Sequence, residues 1–334
     1  MVHIPLWYWF AFGAFVTTML VIDLSVIHRS SRKPTAKESG LWTLFWCALA
    51  VGFSVLVWWI YTYYSEDHDH GLQKAGEFLS GYAVEWALSM DNVFVFVVIF
   101  NHFRVPPKFQ YRVLFWGILG AVFLRLAFVL AGAALIHRFE WILYVLGAFL
   151  VYTGVMLAVK DEEVDPEKGF ALRLSRRFLP VASGDHTVHG DRFFVRVDGR
   201  MMATPLFLVL VVINITDVIF AVDSVPAIFG ITKDPFIVFT SNVFAIFGLR
   251  ALYFLLADFM GMFHYLKYGL SLILIFVGVK MLAKLFLDHD NLLISNPFIS
   301  LAVIAVLLGG SIVASILFPE RHDEAPAHGG PNPE

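Results

Sequence analysis

Glu85-Trp-Ala-Leu-Ser-Met-Asp91-Asn92 and Asp217-Val-Ile-Phe-Ala-Val-Asp223-Ser224 share one pattern: a carboxylate, five residues, an aspartate and a small polar side chain, set in otherwise lipid-like sequence. A carboxylate at the centre of a bilayer costs about 2.5–3.5 kcal/mol even on the lenient insertion scale. Four of them at matched positions need a compensating charge. Carboxylate, amide and hydroxyl oxygens suit a hard divalent cation, Mg2+, Ca2+ or Mn2+. The histidines fall in loops, tails or helix ends, so no imidazole is expected beside the acids, which argues against a zinc-type centre. The outer group Glu66-Asp-His-Asp-His70 and the pair His186 and His189 read as polar loop decoration, and Asp23 and Asp258 lie near helix ends where water reaches them.

The elements that hold these acids are membrane spans. The chain is 59% hydrophobic and 15% charged, against about 25% charged in a soluble domain. Apolar runs of about 20 residues, the length that crosses a hydrocarbon core, occur near 5–27, 40–64, 77–101, 112–136, 139–159, 203–231, 236–257, 265–286 and 297–318. The expected fold is all-α, a polytopic membrane protein of about nine transmembrane helices. The first run has no basic stretch before it and no small-residue cleavage site after it, so it is read as helix one rather than a removed signal. With the N-terminus outside and the C-terminus cytoplasmic, the connecting segments carry 17 Lys and Arg inside and four outside, namely Lys74, Arg138, Lys233 and Lys284. These basic residues follow from topology, and nothing points to nucleic acid.

An internal repeat organises the spans. Glu85 aligns with Asp217 and Asp91 with Asp223, then Arg125 with Arg250, and Tyr144, Gly154 and Lys160 with Tyr268, Gly278 and Lys284. Three spans per copy, an odd number, make the copies inverted in the membrane, as in many transporters. The expected division is 1–76, an N-terminal two-helix unit; 77–160, the first repeat; 161–202, a cytoplasmic loop; 203–286, the second repeat; 287–318, a last helix; and 319–334, a disordered cytoplasmic tail. Within the loop, Phe193-Phe-Val-Arg-Val-Asp-Gly199 alternates apolar and polar residues before Asp-Gly, the signature of a short strand or hairpin.

On continuous helices Glu85 and Asn92 share a face while Asp91 lies about 120° away, and the same holds for Asp217, Ser224 and Asp223. The acids converge only if something bends. Pro226 is expected to break its helix and free backbone carbonyls as ligands beside Asp223. Arg125 and Arg250 read as ion pairs or gates rather than ligands; they are the buried partners available to the acids, but two guanidiniums neutralise four carboxylates less well than a bound ion. Catalysis is not expected. No Gly-x-Gly-Asp element accompanies the second aspartate, and no Ser-His, His-Glu-x-x-His or phosphate loop stands in a fitting context.

Together with Asp234-Pro-Phe-Ile-Val-Phe-Thr-Ser-Asn242 and Gly248-Leu-Arg250-Ala-Leu-Tyr-Phe, the two acidic motifs resemble the TerC family, most closely its Alx-type members, from about helix one to helix eight. The resemblance implies a bacterial inner-membrane protein of manganese export, historically associated with tellurite resistance, with Glu85, Asp91, Asp217 and Asp223 as its acids and Asn92 and Ser224 as polar neighbours. Relatives commonly have glutamate where this chain has Asn214, whose amide oxygen remains a possible ligand. Tellurite reduction would want thiols or a redox cofactor, and only Cys47 exists. The expected function is alternating-access Mn2+ export, with Mn2+ as substrate rather than cofactor and proton coupling as its drive. Two alternatives stay open: a metallochaperone or scaffold handing Mn2+ to exported proteins, and export of a small organic cation.

Overall fold

The structure, a computed structural model, describes residues 4–27, 35–159, 170–178, 190, 192–197, 199–257, 265–285 and 296–318. Its elements are α1 (Leu6–Ile27), α2 (Ala36–Ser65), α3 (His68–His102), α4 (Pro107–Arg138), α5 (Ile142–Val159), α6 (Phe170–Phe178), β1 (Phe194–Val197), β2 (Arg200–Ala203), α7 (Pro205–Ile231), α8 (Pro235–Leu256), α9 (Leu266–Ala283) and α10 (Pro297–Leu317). The protein is an all-α polytopic membrane protein. Eight helices among the described residues, α2 to α5 and α7 to α10, are long and apolar enough to cross a membrane, whereas α1 holds a shorter apolar stretch, Leu6–Ile22. The ninth span expected from the sequence falls on α1, whose apolar stretch is shorter than those of the eight.

Local sequence sets the helix starts. Thr35 and Glu38 form a reciprocal capping box on α2, and Asp67 accepts from the Asp69 amide at the start of α3. Three later helices open with a capping side chain followed by proline: Thr204-Pro205, Asp234-Pro235 and Asn296-Pro297. Proline suits the first helical position because its missing N–H would have had no partner there. α3 starts at His68, nine residues before the expected boundary at 77, because its first turns are polar and invisible to hydropathy.

The expected hairpin is present. β1 and β2 pair antiparallel from Phe194 with Ala203 to Val197 with Arg200, and Gly199, at φ 79°, supplies the left-handed turn residue. Thr204 ties it to α7, its N–H donating to Phe193 O and its hydroxyl to Arg192 O. The acidic run Asp161–Glu167, the pair His186 and His189, Asp258 and the tail from Pro319 lie outside the described residues.

Two packing features position the site. α8 is buried along its whole length, enclosed mainly by α2, α3 and α4. Second, the main helix contacts keep their pattern when α3 is exchanged with α7, α4 with α8 and α5 with α9: α3 on α8 mirrors α4 on α7, and α5 on α7 mirrors α3 on α9. The most extensive contact is α5 on α9. There Gly147 and Gly154 face Gly278 and Ser271 so closely that a Cβ on Gly278 would lie 2.6 Å from Gly147 O, and Ser271 Oγ donates to Gly154 O at 2.6 Å. Small residues let helix backbones approach this way in membranes, where burying apolar surface gives little drive for association. Large apolar side chains face outward on the peripheral helices, among them Leu44, Trp59, Tyr152 and Val306, as lipid contact requires.

Candidate functional site

Arg125 is the centre of the polar network. It projects from α4, is 1% exposed, and ties together residues from three other helices. Its Nη1 pairs with Glu85 Oε1 of α3, and donates to Ser224 Oγ of α7 at 3.3 Å and to Asn242 Oδ1 of α8 at 2.8 Å. Nη2 and Nε reach the two oxygens of Asp217 at 3.1 and 3.4 Å. Asn242 Nδ2 closes the circuit on Glu85 Oε2 at 3.4 Å. The residues involved are all buried, a setting in which an isolated charge would be driven to neutralise or pair.

The register of α3 against α7 explains which acids meet. Thr232 donates to Glu77 at 2.5 Å, the Cα of Gly81 faces Ile228, and Arg125 joins Glu85 to Ser224. Each step along α3 is matched by an equal step back along α7, as an antiparallel pair requires. Continuing that register sets Asn92 level with Asp217, and Trp86 level with Asp223. The polar residues therefore form two layers about 10 Å apart at 1.5 Å of rise per residue. One holds Glu85, Asp223 and Ser224; the other holds Asp91, Asn92 and Asp217.

Arg125 bridges the layers through Glu85 and Asp217, and it leaves the other two acids out. Asp91 joins neither this network nor any ion pair among the described residues. Asp223 Oδ1 is buried with no hydrogen-bond partner, and Nε1 of Trp86 at the same level is likewise buried without an acceptor. Asn214 donates Nδ2 to Leu210 O at 2.9 Å, while its Oδ1 is buried and unpartnered; Gly120 of α4 makes room for it, since a Cβ there would collide with the amide.

Two expectations need correction. α7 runs unbroken through Pro226 to Ile231, because the proline removes a single hydrogen bond, that to Val222 O, and every residue from Ser224 to Ile231 is buried. With both helices continuous, the four acids do not converge, and among the described residues no group of three or more His, Cys, Asp or Glu is gathered to hold a metal. Arg125 is an ion-pair residue as read, and Arg250 lies over the Tyr111 ring, 4.6 Å from the centroid.

Some polar residues escaped the sequence reading. Asn242 is one of them, and its only signal in the sequence is that of a lone amide in an apolar helix. At one end of the bundle Glu77 accepts from Lys74 at 2.7 Å and Thr232, while Lys280, buried within α9, donates to Ser300 at 2.5 Å. Just past α9, burial pushes the Lys284 ammonium below the usual lysine range, helped by Lys233 and opposed by Glu77. His68, His70, His102 and His137, the described histidines, all sit at helix ends.

Comparison with known proteins adds family information. A family model described as "Integral membrane protein TerC family" matches residues 70–323. A membrane protein of Myxococcus xanthus is 46% identical over 94% of this chain and 93% of its own length. Escherichia coli K12 has a relative named "Putative membrane-bound redox modulator Alx", 42% identical over 95% of this chain and 96% of that protein. A Rickettsia bellii membrane protein is 39% identical over 92% and 97%. No solved structure matches the chain.

Proposed function

Because this chain belongs to the TerC family of integral membrane proteins, we propose that it exports a hard divalent cation, Mn2+ first, across a bacterial inner membrane by alternating access. The observation that carries this reading is the unpartnered, buried carboxylate oxygen of Asp223, beside an acid pair that already takes up the one arginine in the network. Four carboxylates stand against one guanidinium. A divalent cation supplies the missing positive charge, and each layer offers it a neutral oxygen beside the acids, Asn92 in one and Ser224 in the other, of the kind that Mn2+ accepts.

Transport rather than static binding is favoured by the exchange-symmetric packing and by the antiparallel run of α3 against α7. Both fit two inverted repeats able to trade roles around a shared site. The relatives' name speaks of redox modulation, and in this sequence the single cysteine, Cys47, accepts a hydrogen bond from Tyr82 at 3.3 Å and has no second thiol to pair with. A redox effect here would follow from the supply of Mn2+. In the metallochaperone reading, the hairpin and α6, docked on α7, hand the ion to a partner.

Sealed vesicles carrying the protein separate these readings. Mn2+ should leave loaded vesicles, Ca2+ and Mg2+ should compete for it, and with membrane potential clamped the rate should respond to an imposed pH gradient. Saturable binding without flux would favour the scaffold, and competition by organic cations alone would move the substrate class. A flux that ignores the pH gradient would remove proton coupling.

The proposed orientation has its own check. In a Cys47→Ala background, cysteines replacing Lys74 and Lys233 should react with an impermeant thiol reagent applied to intact cells. Cysteines replacing Lys108 and Arg196 should react only after lysis. Labelling of positions 74 and 196 from the same side would sink this topology.

A further inference from the structure

We propose that the Arg125 guanidinium is the site's own exchangeable cation, seated on Glu85 and Asp217 when the carrier is empty and displaced when the transported ion binds. The inference rests on the export reading and adds to it a reason why the empty site can reorient. Every partner of Arg125 among the described residues is an oxygen of the site, on Glu85, Asp217, Ser224 or Asn242. A guanidinium and a divalent ion therefore compete for the same lone pairs. An arginine with a purely structural role would be expected to have some partner of its own, a backbone carbonyl or an acid outside the candidate set.

Two further observations support displacement. Arg125 comes from α4, while the acids stand on α3 and α7, so its long side chain can withdraw without either acid-bearing helix moving. Arg250, at the matched position of the second repeat, lies over the face of Tyr111, a setting in which cation–π attraction helps to hold a guanidinium. Two matched arginines thus show two settings for a guanidinium, one on Glu85 and Asp217 and one on an aromatic face. An empty site that lost all its positive charge could not pass through a low-dielectric barrier. With Arg125 seated, the return step needs no second ion at Glu85 and Asp217.

The test compares net efflux with exchange in proteoliposomes containing the full chain. Labelled Mn2+ is loaded inside, and the outer medium holds either a chelator or unlabelled Mn2+. In Arg125→Gln, net efflux should fall roughly tenfold or more while exchange stays within about twofold of the parent, because exchange never requires the empty carrier to return. Equilibrium Mn2+ binding should tighten by about tenfold once the competitor is gone. Exchange and net efflux falling in step, with binding not tightened, would overturn the inference. If the glutamine variant does not fold, Arg125→Lys decides: it keeps the charge, so net efflux and exchange should keep the parent's ratio, and a folded lysine variant that exchanges Mn2+ without net release would overturn the inference. A parent protein that moves no Mn2+ in either assay removes the export reading itself; a parent that moves it, with the variants failing as described, removes this inference alone.

Discussion

Asp223→Asn is expected to abolish Mn2+ export while leaving the protein inserted and folded, and Asp91→Asn should do the same. Asparagine keeps the shape and one ligand oxygen but removes the charge that offsets the ion's lost hydration. Two unit charges 4 Å apart interact by about 4 kcal/mol at an effective dielectric of about 20, and a divalent ion doubles that. If only a quarter of the attraction counts after reorganisation, affinity still falls more than about tenfold. Neither aspartate holds an ion pair among the described residues, and Asp223 Oδ1 has no hydrogen-bond partner at all, so the fold loses little when the charge goes. Glu85 and Asp217 differ: substituting either strips Arg125 of a partner and mixes a folding defect with a transport defect. Efflux from sealed vesicles, normalised to protein that elutes as a single species from a sizing column, reads the effect. Parent-like efflux by both asparagine variants would remove the two-layer acid site from the mechanism.

Gly278→Leu is expected to cost most of the folded protein, the largest stability effect of any substitution considered. A Cβ at 278 would sit 2.6 Å from Gly147 O and 3.0 Å from Val151 N, atoms of the α5 backbone that cannot rotate aside. The helices would have to separate, losing the close contact along the seam that joins α5 to α9. Overpacking in a well-packed interior costs about 1–3 kcal/mol, and leucine adds three more carbons to the same space. Gly309→Leu on α10 is the control, because nothing lies within 4 Å of a Cβ there. The fraction of each variant surviving a heat step in detergent measures the difference. Equal survival would mean that the seam is not held by backbone approach.

The helices were legible because length and apolarity dictate a span. The expected run at 112–136 lies inside Pro107–Arg138, and that at 297–318 differs from Pro297–Leu317 by one residue. The β1–β2 hairpin was legible for a similar reason: alternation followed by Asp-Gly leaves few other conformations. The buried acids were legible as residues and not as an arrangement. Asp91 and Asp223 carry the same chemistry as Glu85 and Asp217, and their separation into two layers depends on the antiparallel register of α3 on α7, which no local pattern encodes. Pro226 showed the limit of a local rule, since the packing around α7 holds it helical across a residue that breaks isolated helices. Asn242 was hidden because a single amide in an apolar run looks the same whether it lines a site or faces a neighbour.

The enclosure of α8 bears on how the chain is made. It carries Asn242 and Arg250, both buried, and its apolar window is among the least apolar of the eight. Released alone into lipid, a helix with an amide near its middle and an arginine six residues from its end would insert poorly, since an arginine costs up to about 2.5–3.5 kcal/mol as it nears the bilayer centre. The helices that surround it, α2, α3 and α4, all precede it on the ribosome. The cleft is therefore synthesised before its occupant, and α8 can leave the translocation channel into protein rather than into hydrocarbon. A truncated chain lacking α2 to α4 should pass α8 through the membrane machinery without stopping, although the helix itself is intact.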